Sequence, residues 1–325
     1  MGFFVDGVWQ EDGARTDAGG AFQRPTTKFR NHVTPDGNPG PGGDGGFVAE
    51  PGRYHLYVSN ACPWAHRTVI FRKLKKLENV ISLSVVSPDL GSEGWTFDRN
   101  AGSTGDVVNH AAKLADIYLM ADRRYSGRVS VPVLWDKQRR TIVNNESAEI
   151  IRMLNSAFDA FTNDRTDYCP IAHRDEIDSL NARVFATVNN GVYRCGFAST
   201  QRAYNDAFRE LFATLDDLEA RLATSRYLVG SAITEADWRL FTTLVRFDAV
   251  YYVHFKCNLR RIEDYPNLSN YLRDLYQVPG VAETVMIDEI KRHYYGSHRH
   301  INPRGIVPLG PALDFSRPHD RGRFS

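Results

Sequence analysis

The chain has 325 residues, of which 42% are hydrophobic and 24% are charged, and these fractions are typical of a globular protein. The net charge of +1 gives no reason to expect nucleic acid or an anionic membrane as the main partner. No run of 18 apolar residues is present, and the N-terminus lacks the basic and apolar pattern of a signal peptide, so we expect a cytoplasmic protein.

Residues 1–50 do not have the pattern of a folded domain, and we interpret them as an N-terminal extension. Residues 35–46 consist only of proline, glycine, aspartate and asparagine, which is the composition of a flexible loop. Before this loop, Phe22, Phe29 and Val33 are apolar enough to dock on a neighbouring surface. The sequence leaves two alternatives open, an extension that packs on the body or lies over a site, and a disordered tail.

The stretch that follows predicts a strand, a tight turn and a helix. Tyr54–Ser59 is a short run with aromatic and β-branched residues, and Asn60-Ala61 is a turn. Pro63 fits the first position of a helix, where its missing N–H is not needed. Cys62 therefore becomes the N-cap residue of this helix.

A sulfur at a helix N-terminus is near unpaired backbone N–H groups and the positive end of the helix dipole. Such surroundings lower the pKa of a thiol from about 8.5 to roughly 3.5–7.5. We therefore expect Cys62 to be a reactive thiolate at cellular pH, the alternative being a structural cysteine. The other cysteines, Cys169, Cys195 and Cys257, have neither zinc-site nor disulfide-scaffold spacing, and we expect them to be small buried side chains.

The remainder of residues 51–160 continues an α/β pattern. An apolar strand at residues 80–86 completes a βαβ unit with the first strand and helix. We predict a helix at about 111–124, then a hairpin formed by Val131–Asp136 and Thr141–Val143. A capped helix follows after Asn145-Glu146-Ser147, so the predicted order is β-α-β-α-β-β-α.

Residues 165–300 carry almost only helical signals, and residues 301–325 form a proline- and glycine-containing tail. Apolar residues recur at spacings of three and four from Phe208 to Leu222. Thr234 and Asp237 form a capping-box-like start of another helix, and a further helix begins near Pro266. These patterns predict an α/β domain followed by an all-α domain.

These motifs together resemble the cytosolic glutathione transferases, and the resemblance implies an α/β thioredoxin-like domain followed by an all-α domain. More narrowly, Ser-Asn-Ala-Cys62-Pro-Trp-Ala-His, Gly-Arg128-Val-Ser-Val131-Pro132-Val-Leu-Trp-Asp, Asn-Asn-Glu146-Ser147-Ala-Glu-Ile-Ile and Lys-Arg-His-Tyr294-Tyr-Gly-Ser-His are similar to the Xi class, the glutathionyl-hydroquinone reductases. The resemblance covers roughly residues 20–310, and several motifs in the same order are more specific than any single one.

The resemblance implies a binding site for glutathione. It implies a cis bond before Pro132, which presents the Val131 backbone to the cysteinyl part of glutathione like an added strand; the alternative is an edge strand that tolerates proline. Glu146 and Ser147 begin a helix and can receive the γ-glutamyl group, or they are only a capping sequence. Two further residues are carried over by resemblance and are otherwise ordinary surface and packing residues: Arg128 for the glycyl carboxylate and Trp95 as a cover over the tripeptide.

The resemblance also places Tyr193, Tyr251 and Tyr294 over the thiol, where phenols can hydrogen-bond a hydroquinone and one can donate a proton. The chain contains 15 tyrosines, so packing roles are the alternative, and the neighbours Tyr252 and Tyr295 leave the assignment open by one residue. The histidines at 293, 298 and 300 suggest a metal site, but interleaved arginines and the absence of a nearby cysteine argue against one, and we expect no metal.

The activity implied is the glutathione-dependent reduction of glutathionyl-hydroquinones through a Cys62-glutathione mixed disulfide. Ala65 stands where a Cys-x-x-Cys enzyme has its second cysteine, so an external thiol must resolve that disulfide. The resemblance also implies a homodimer. Two other classes remain: an omega-like cysteine transferase that reduces dehydroascorbate or deglutathionylates proteins, and a non-catalytic transferase-like assembly module.

Overall fold

The structure is a computed structural model that describes residues 2–11, 16–41 and 43–324. The chain divides into two compact units. The α/β unit contains Met1–Gly13, Pro25–Thr166 and Asp288–Ser297, and the helical unit contains Ala14–Arg24, Asp167–Ile287 and His298–Ser325. The predicted fold class, a thioredoxin-like α/β domain and an all-α domain, is confirmed. Within the described ranges, no helix combines the length and apolar character needed to cross a bilayer.

A four-stranded mixed sheet forms the centre of the α/β unit. Its strands are β3 (Tyr54–Val58), β4 (Ser82–Val85), β6 (Val133–Asp136) and β7 (Thr141–Asn144), in the order β4-β3-β6-β7. Strand β3 is parallel to β4 and antiparallel to β6, which pairs antiparallel with β7. Every residue of β3 is buried, as expected for a strand covered on both faces. The predicted βαβ unit and hairpin are therefore confirmed.

Three helices of this unit follow the predicted order: α1 (Pro63–Leu74), α2 (Leu114–Ala121) and α3 (Ser147–Ser156). A short helix that was not predicted, α4 (Asp159–Thr162), comes after them. Helix α2 is shorter than the predicted 111–124. It begins at Leu114 because Lys113 has an extended backbone and its N–H donates to the Asp116 carboxylate, and it ends where Asp122 becomes extended.

Residues 3–10 form a hairpin that the sequence did not predict. Strands β1 (Phe3–Val5) and β2 (Val8–Gln10) pair antiparallel, and β1 also pairs with β5 (Gly127–Arg128). Asp6 and Gly7 both have positive φ angles, as a two-residue Asp-Gly hairpin turn requires. A Cβ atom at Gly7 would lie 2.2 Å from the Arg123 carbonyl oxygen, so a side chain is excluded there.

Residues 25–41 and 43–50 are part of the α/β unit and pack within it. The Asn31 N–H donates to the Val143 carbonyl at 3.0 Å, and the Asn145 N–H donates to the Phe29 carbonyl at 3.1 Å. Val33 is buried, while the Phe29 ring packs on Tyr125. Apolar residues of the extension thus dock on the folded body, one of the two alternatives left open by the sequence.

The helical unit contains α5 (Arg174–Val184), α6 (Gly191–Gly196), α7 (Gln201–Leu222), α8 (Glu235–Arg246), α9 (Tyr252–His254) and α10 (Pro266–Tyr276). Two π-helical turns, Phe185–Asn189 and Phe247–Tyr251, precede α6 and α9. The capping box of Thr234 and Asp237 starts α8, and Pro266 occupies the first turn of α10, as predicted.

The last helix and the C-terminal tail belong to different units. Helix α11 (Ile287–Ser297) lies, from Asp288 onward, in the α/β unit, although it follows the helical region in sequence. The tail belongs to the helical unit and is held there by the buried Arg321, which donates to the carbonyl oxygens of Leu222 at 2.8 Å and Arg226 at 2.7 Å.

Candidate active site

The turn between β3 and α1 places the candidate nucleophile. Cys62 is the N-cap of α1, with extended backbone angles of φ −78° and ψ 122°, and Pro63 is the first helical residue. The Cys62 carbonyl accepts from the His66 N–H at 2.9 Å, and the Cys62 N–H donates to the Ser59 carbonyl at 3.1 Å. The predicted strand, turn and helix are confirmed, with the sulfur at the helix N-terminus.

The sulfur of Cys62 contacts the segment that precedes β6. Its Sγ donates to the Val131 carbonyl oxygen at 3.7 Å, and the Val131-Pro132 peptide bond is cis, as the sequence resemblance implied. The Cys62 residue is only 9% exposed. An ionised sulfur has no proton to donate, so ionisation would exchange the Val131 contact for the backbone N–H groups at the start of α1.

A second helix N-terminus lies in the same unit. Glu146 is the N-cap of α3, and its Oε1 accepts from the Ala148 N–H at 3.1 Å. Glu146 therefore does cap its own helix, which was the alternative to a ligand-binding role. The Ser147 hydroxyl oxygen accepts from a guanidinium N–H of Arg67 at 3.3 Å.

Arg67 was not singled out by the sequence analysis. It lies on α1, is almost fully buried, and its guanidinium carbon is 4.7 Å from the centroid of the Trp64 ring. The signal that would reveal it is a charged residue at a buried position of a predicted helix, since a buried arginine requires nearby acceptors.

Trp95 and Arg128 occupy different surroundings in the α/β unit. Trp95 is 3% exposed, and its carbonyl accepts from the Leu114 N–H at 2.9 Å. Its ring stacks on His293, with centroids 4.9 Å apart and planes inclined by 20°. Arg128 lies in β5 and is partly exposed, with its guanidinium carbon 5.8 Å from the centroid of the Phe3 ring.

Helix α11 reaches both the turn before Cys62 and the loop that contains Trp95. The Asn60 amide donates to both carboxylate oxygens of Glu289, at 3.2 and 3.1 Å. His293 Nδ1 lies 2.8 Å from the Pro88 carbonyl oxygen. Because a carbonyl can only accept, Nδ1 carries the proton of this hydrogen bond.

The helical unit brings together two of the predicted tyrosines. The ring centroids of Tyr193 and Tyr251 are 6.1 Å apart, and both rings contact Phe255 at 5.5 Å. Tyr251 closes a π-helical turn, a feature frequent at functional sites. Tyr251 is fully buried in this cluster, whereas its neighbour Tyr252 is half-exposed, so Tyr251 is the member of that pair that meets Tyr193.

The third predicted tyrosine belongs to the α/β unit. Tyr294 lies on α11 beside His293, with ring centroids 5.2 Å apart, and it is buried. The adjacent Tyr295 is buried as well, and burial raises the pKa of Tyr295 to about 12. Burial therefore does not distinguish these two tyrosines.

Two sets of candidate residues remain, the histidines considered as metal ligands and the three other cysteines. His298 lies 3.1 Å from His254, measured between Nδ1 and Nε2, and in the described part of the chain no three His, Cys, Asp or Glu side chains are grouped as metal ligands. Cys169, Cys195 and Cys257 are buried, as predicted, and burial raises the pKa of the Cys257 thiol.

Comparisons with known proteins agree with this architecture. Residues 61–157 match the family model for the glutathione S-transferase N-terminal domain, and residues 201–274 match the model for the C-terminal domain. The chain is 56% identical to glutathionyl-hydroquinone reductase YqjG of Escherichia coli, over 99% of this chain and 98% of the relative. It is 53% identical to glutathionyl-hydroquinone reductase PcpF of Sphingobium chlorophenolicum, over 96% of this chain and 97% of the relative.

Solved structures of glutathione transferases also align with this chain over nearly its full length. The glutathione-bound structure of YqjG aligns with a TM-score of 0.92 at 54% identity, covering 99% of both chains. The Xi-class glutathione transferase of Natrialba magadii aligns with a TM-score of 0.92 at 47% identity, covering 100% of this chain and 98% of the other.

Proposed function

The chain belongs to the Xi class of glutathione transferases, the glutathionyl-hydroquinone reductases, and we propose that it reduces glutathionyl-hydroquinones to hydroquinones with glutathione as the reductant. The observation that carries this proposal is the reactive-cysteine geometry within a chain so similar to such reductases. Cys62 lies at a helix N-terminus, beside the Val131 carbonyl, in a fold shared over nearly the full length with enzymes of that name.

Glutathione binds, in this proposal, along the α/β unit. The Val131 backbone pairs with the cysteinyl part, as an extended peptide pairs with a strand edge. The N-terminus of α3 receives the γ-glutamyl carboxylate, because helix N-terminal N–H groups and the dipole favour an anion. The Ser147 hydroxyl oxygen accepts from Arg67, and its proton, now directed at Glu146 Oε1 at 3.5 Å, turns to that carboxylate when glutathione binds. Arg128 pairs with the glycyl carboxylate, and Trp95 covers the tripeptide.

The first chemical step forms a mixed disulfide. The Cys62 thiolate attacks the sulfur of the glutathionyl-hydroquinone, an S–S bond forms, and the C–S bond breaks. The electron pair of that bond passes to the ring carbon, which takes a proton. Tyr193, Tyr251 and Tyr294 hold the hydroquinone ring, and one of these phenols supplies the proton.

The second step restores the thiolate. Ala65 occupies the position of a resolving cysteine, so a second glutathione attacks the mixed disulfide and leaves as glutathione disulfide. The proton lost by this glutathione balances the proton gained by the ring carbon. The net reaction converts one glutathionyl-hydroquinone and one glutathione into a hydroquinone and glutathione disulfide.

Mass spectrometry tests this sequence of steps. After brief exposure to a glutathionyl-hydroquinone without free thiol, the protein should carry one glutathionyl group on Cys62, and added glutathione should remove it. Cys62→Ser should remain unmodified, because a serine hydroxyl supplies almost no anion at neutral pH. Full turnover by Cys62→Ser would contradict the mechanism and favour a non-catalytic role for this cysteine.

The choice of substrate is tested by comparing turnover rates. Turnover of a glutathionyl-hydroquinone should exceed that of dehydroascorbate or of a glutathionylated protein, because the tyrosine cluster offers aromatic contacts and phenol donors to a ring. A preference for dehydroascorbate would instead assign an omega-like activity to the same cysteine.

The cellular compartment and the oligomeric state of the protein are part of the same proposal. A cytoplasmic location would supply reduced glutathione, and the cysteines here are thiols. A homodimer is expected from the family. Light scattering of the purified protein should give twice the mass of the chain, and a monomer mass would contradict this expectation.

A further inference from the structure

Part of the N-terminal extension packs on the tyrosine cluster of the helical unit. The Ser199 N–H donates to the Gly20 carbonyl at 3.1 Å, and the Thr200 hydroxyl donates to the Gly19 carbonyl at 2.8 Å. These bonds fix the segment just before Phe22, whose ring stacks on Tyr193 with centroids 6.5 Å apart and planes inclined by 26°. The extension is therefore built into the surroundings of a proposed catalytic tyrosine.

Arg24 brings a positive charge to the same ring. Its guanidinium carbon lies 4.8 Å from the centroid of Tyr193 and 5.4 Å from that of Phe22. Its Nε donates to Asn190 Oδ1 at 2.7 Å. Asn190 precedes Tyr193 by three residues, about one helical turn, so the start of the helix that carries the tyrosine also anchors the cation.

Other titratable groups of the helical unit lie near Tyr193 as well. Tyr251 is the neighbouring phenol, with its ring centroid 6.1 Å from that of Tyr193. Arg194 follows Tyr193 on α6 but pairs with Glu210 of α7 at 2.5 Å. The His298 ring contacts Phe197 and Phe255, and His298 Nδ1 lies 3.1 Å from His254 Nε2. Arg24 thus places a cation on the face of the Tyr193 ring.

We propose that Arg24 is a positioning residue that makes Tyr193 the stronger acid of the tyrosine cluster and so the donor of the proton to the ring carbon. This inference rests on the proposed function. As the C–S bond breaks, its electron pair passes to carbon, which takes the Tyr193 proton and leaves a phenolate. The guanidinium stabilises that phenolate, and the proton released by the second glutathione restores the phenol.

The test measures the ionisation of Tyr193 directly. Tyrosine labelled with carbon-13 at Cζ reports the phenol-to-phenolate titration by NMR, and Tyr193→Phe identifies the resonance. Arg24→Gln should raise the titration midpoint of Tyr193 by about half a unit to one unit, because a charge at this distance is partly screened by solvent. Arg24→Lys, which keeps the charge, should lie closer to the wild-type midpoint.

Kinetics provide the second measurement. Arg24→Gln should lower kcat for glutathionyl-hydroquinone reduction by roughly two- to tenfold, since a weaker acid transfers its proton more slowly, while the KM for glutathione stays unchanged. Arg202→Gln is the matched control, because this arginine lies on α7 with its side chain 93% exposed, and neither quantity should move.

The outcomes separate the two proposals. An unchanged Tyr193 midpoint in Arg24→Gln would overturn the role of Arg24. Lack of reduction by the wild-type protein would refute the proposed function alone, because the titration is measured without substrate. A shifted midpoint with an unchanged kcat would show that another phenol donates the proton, and this too would overturn the inference.

Discussion

His293 offers a direct test of how α11 supports the proposed glutathione site. Two substitutions separate its contact with the Pro88 carbonyl from its contact with the Trp95 ring. His293→Asn keeps an N–H donor for the Pro88 carbonyl but removes the ring that stacks on Trp95. His293→Phe keeps a ring against Trp95 but removes the donor.

The expected magnitudes follow from these contacts. Aromatic pairs contribute about 0.5–1.5 kcal/mol beyond area burial, so His293→Asn should raise the KM for glutathione by roughly two- to tenfold while kcat changes little. His293→Phe leaves a buried carbonyl without this donor, which destabilises the fold by about 1–3 kcal/mol, and should change KM less.

The assay combines steady-state kinetics with glutathione binding followed by tryptophan fluorescence. Arg292→Gln serves as the control, because Arg292 lies on the same helix and contacts the same loop through an exposed pair with Asp89, 2.9 Å from Nε to Oδ1. Such exposed pairs contribute about 0–1 kcal/mol, so this variant should bind glutathione normally. If His293→Asn bound glutathione as tightly as the wild type, the positioning of Trp95 by His293 would be refuted.

Three further predictions concern other parts of the molecule. Cys62→Ser should lower kcat/KM by at least roughly a thousandfold, as alkoxide is almost absent at neutral pH, and comparable rates would contradict nucleophilic catalysis. Ser147→Ala should raise the KM for glutathione by about three- to tenfold through loss of a hydrogen bond to a charged group, with kcat nearly unchanged; an unchanged KM would remove Ser147 from the site. Burial lowers the pKa of His55 from 6.5 to about 4. The unfolded chain therefore binds a proton that the folded chain does not, and the His55 contribution to the free energy of unfolding, about 3 kcal/mol, should be lost as pH falls from 6.5 to 4. Urea unfolding of wild type and His55→Phe across this range should show a shallower pH dependence for the variant, and identical profiles would contradict the assignment.

Local sequence patterns were sufficient to predict several elements, including the strand and the helix that position Cys62. The strand before Cys62, the helix that starts at Pro63 and the capping box at Thr234 are each encoded within a few neighbouring residues. For such segments, the spacing of apolar residues and the capping chemistry decide the structure.

Elements that depend on contacts between distant residues could not be predicted from local patterns. The hairpin at Asp6-Gly7 has strands of only three residues, and β1 gains a partner strand at Gly127, far along the chain. Its Asp-Gly dipeptide was the available signal. The return of α11 to the α/β unit has no local signature, because the contact of His293 with Trp95 joins residues almost 200 positions apart.

The same limitation applies to the tyrosines. Helical spacing does not relate Tyr193 to Tyr251, and the π-helical turn that ends at Tyr251 changes the direction of the side chains that follow it. The sequence gives no signal for Arg24, because this residue lies in a segment without periodicity. Only the folded chain brings its guanidinium to Tyr193.

The ionisation of the Cys62 thiol is the property on which the proposed reaction depends most directly. The pH dependence of its alkylation rate, with Cys62→Ser as the blank, measures that ionisation. We predict a midpoint below neutral pH, because Cys62 is the N-cap residue of α1 and its thiolate would be stabilised by the N–H groups and the dipole at the start of that helix. A midpoint at or above about 8.5, the value of an unperturbed thiol, would contradict a thiolate nucleophile at this site.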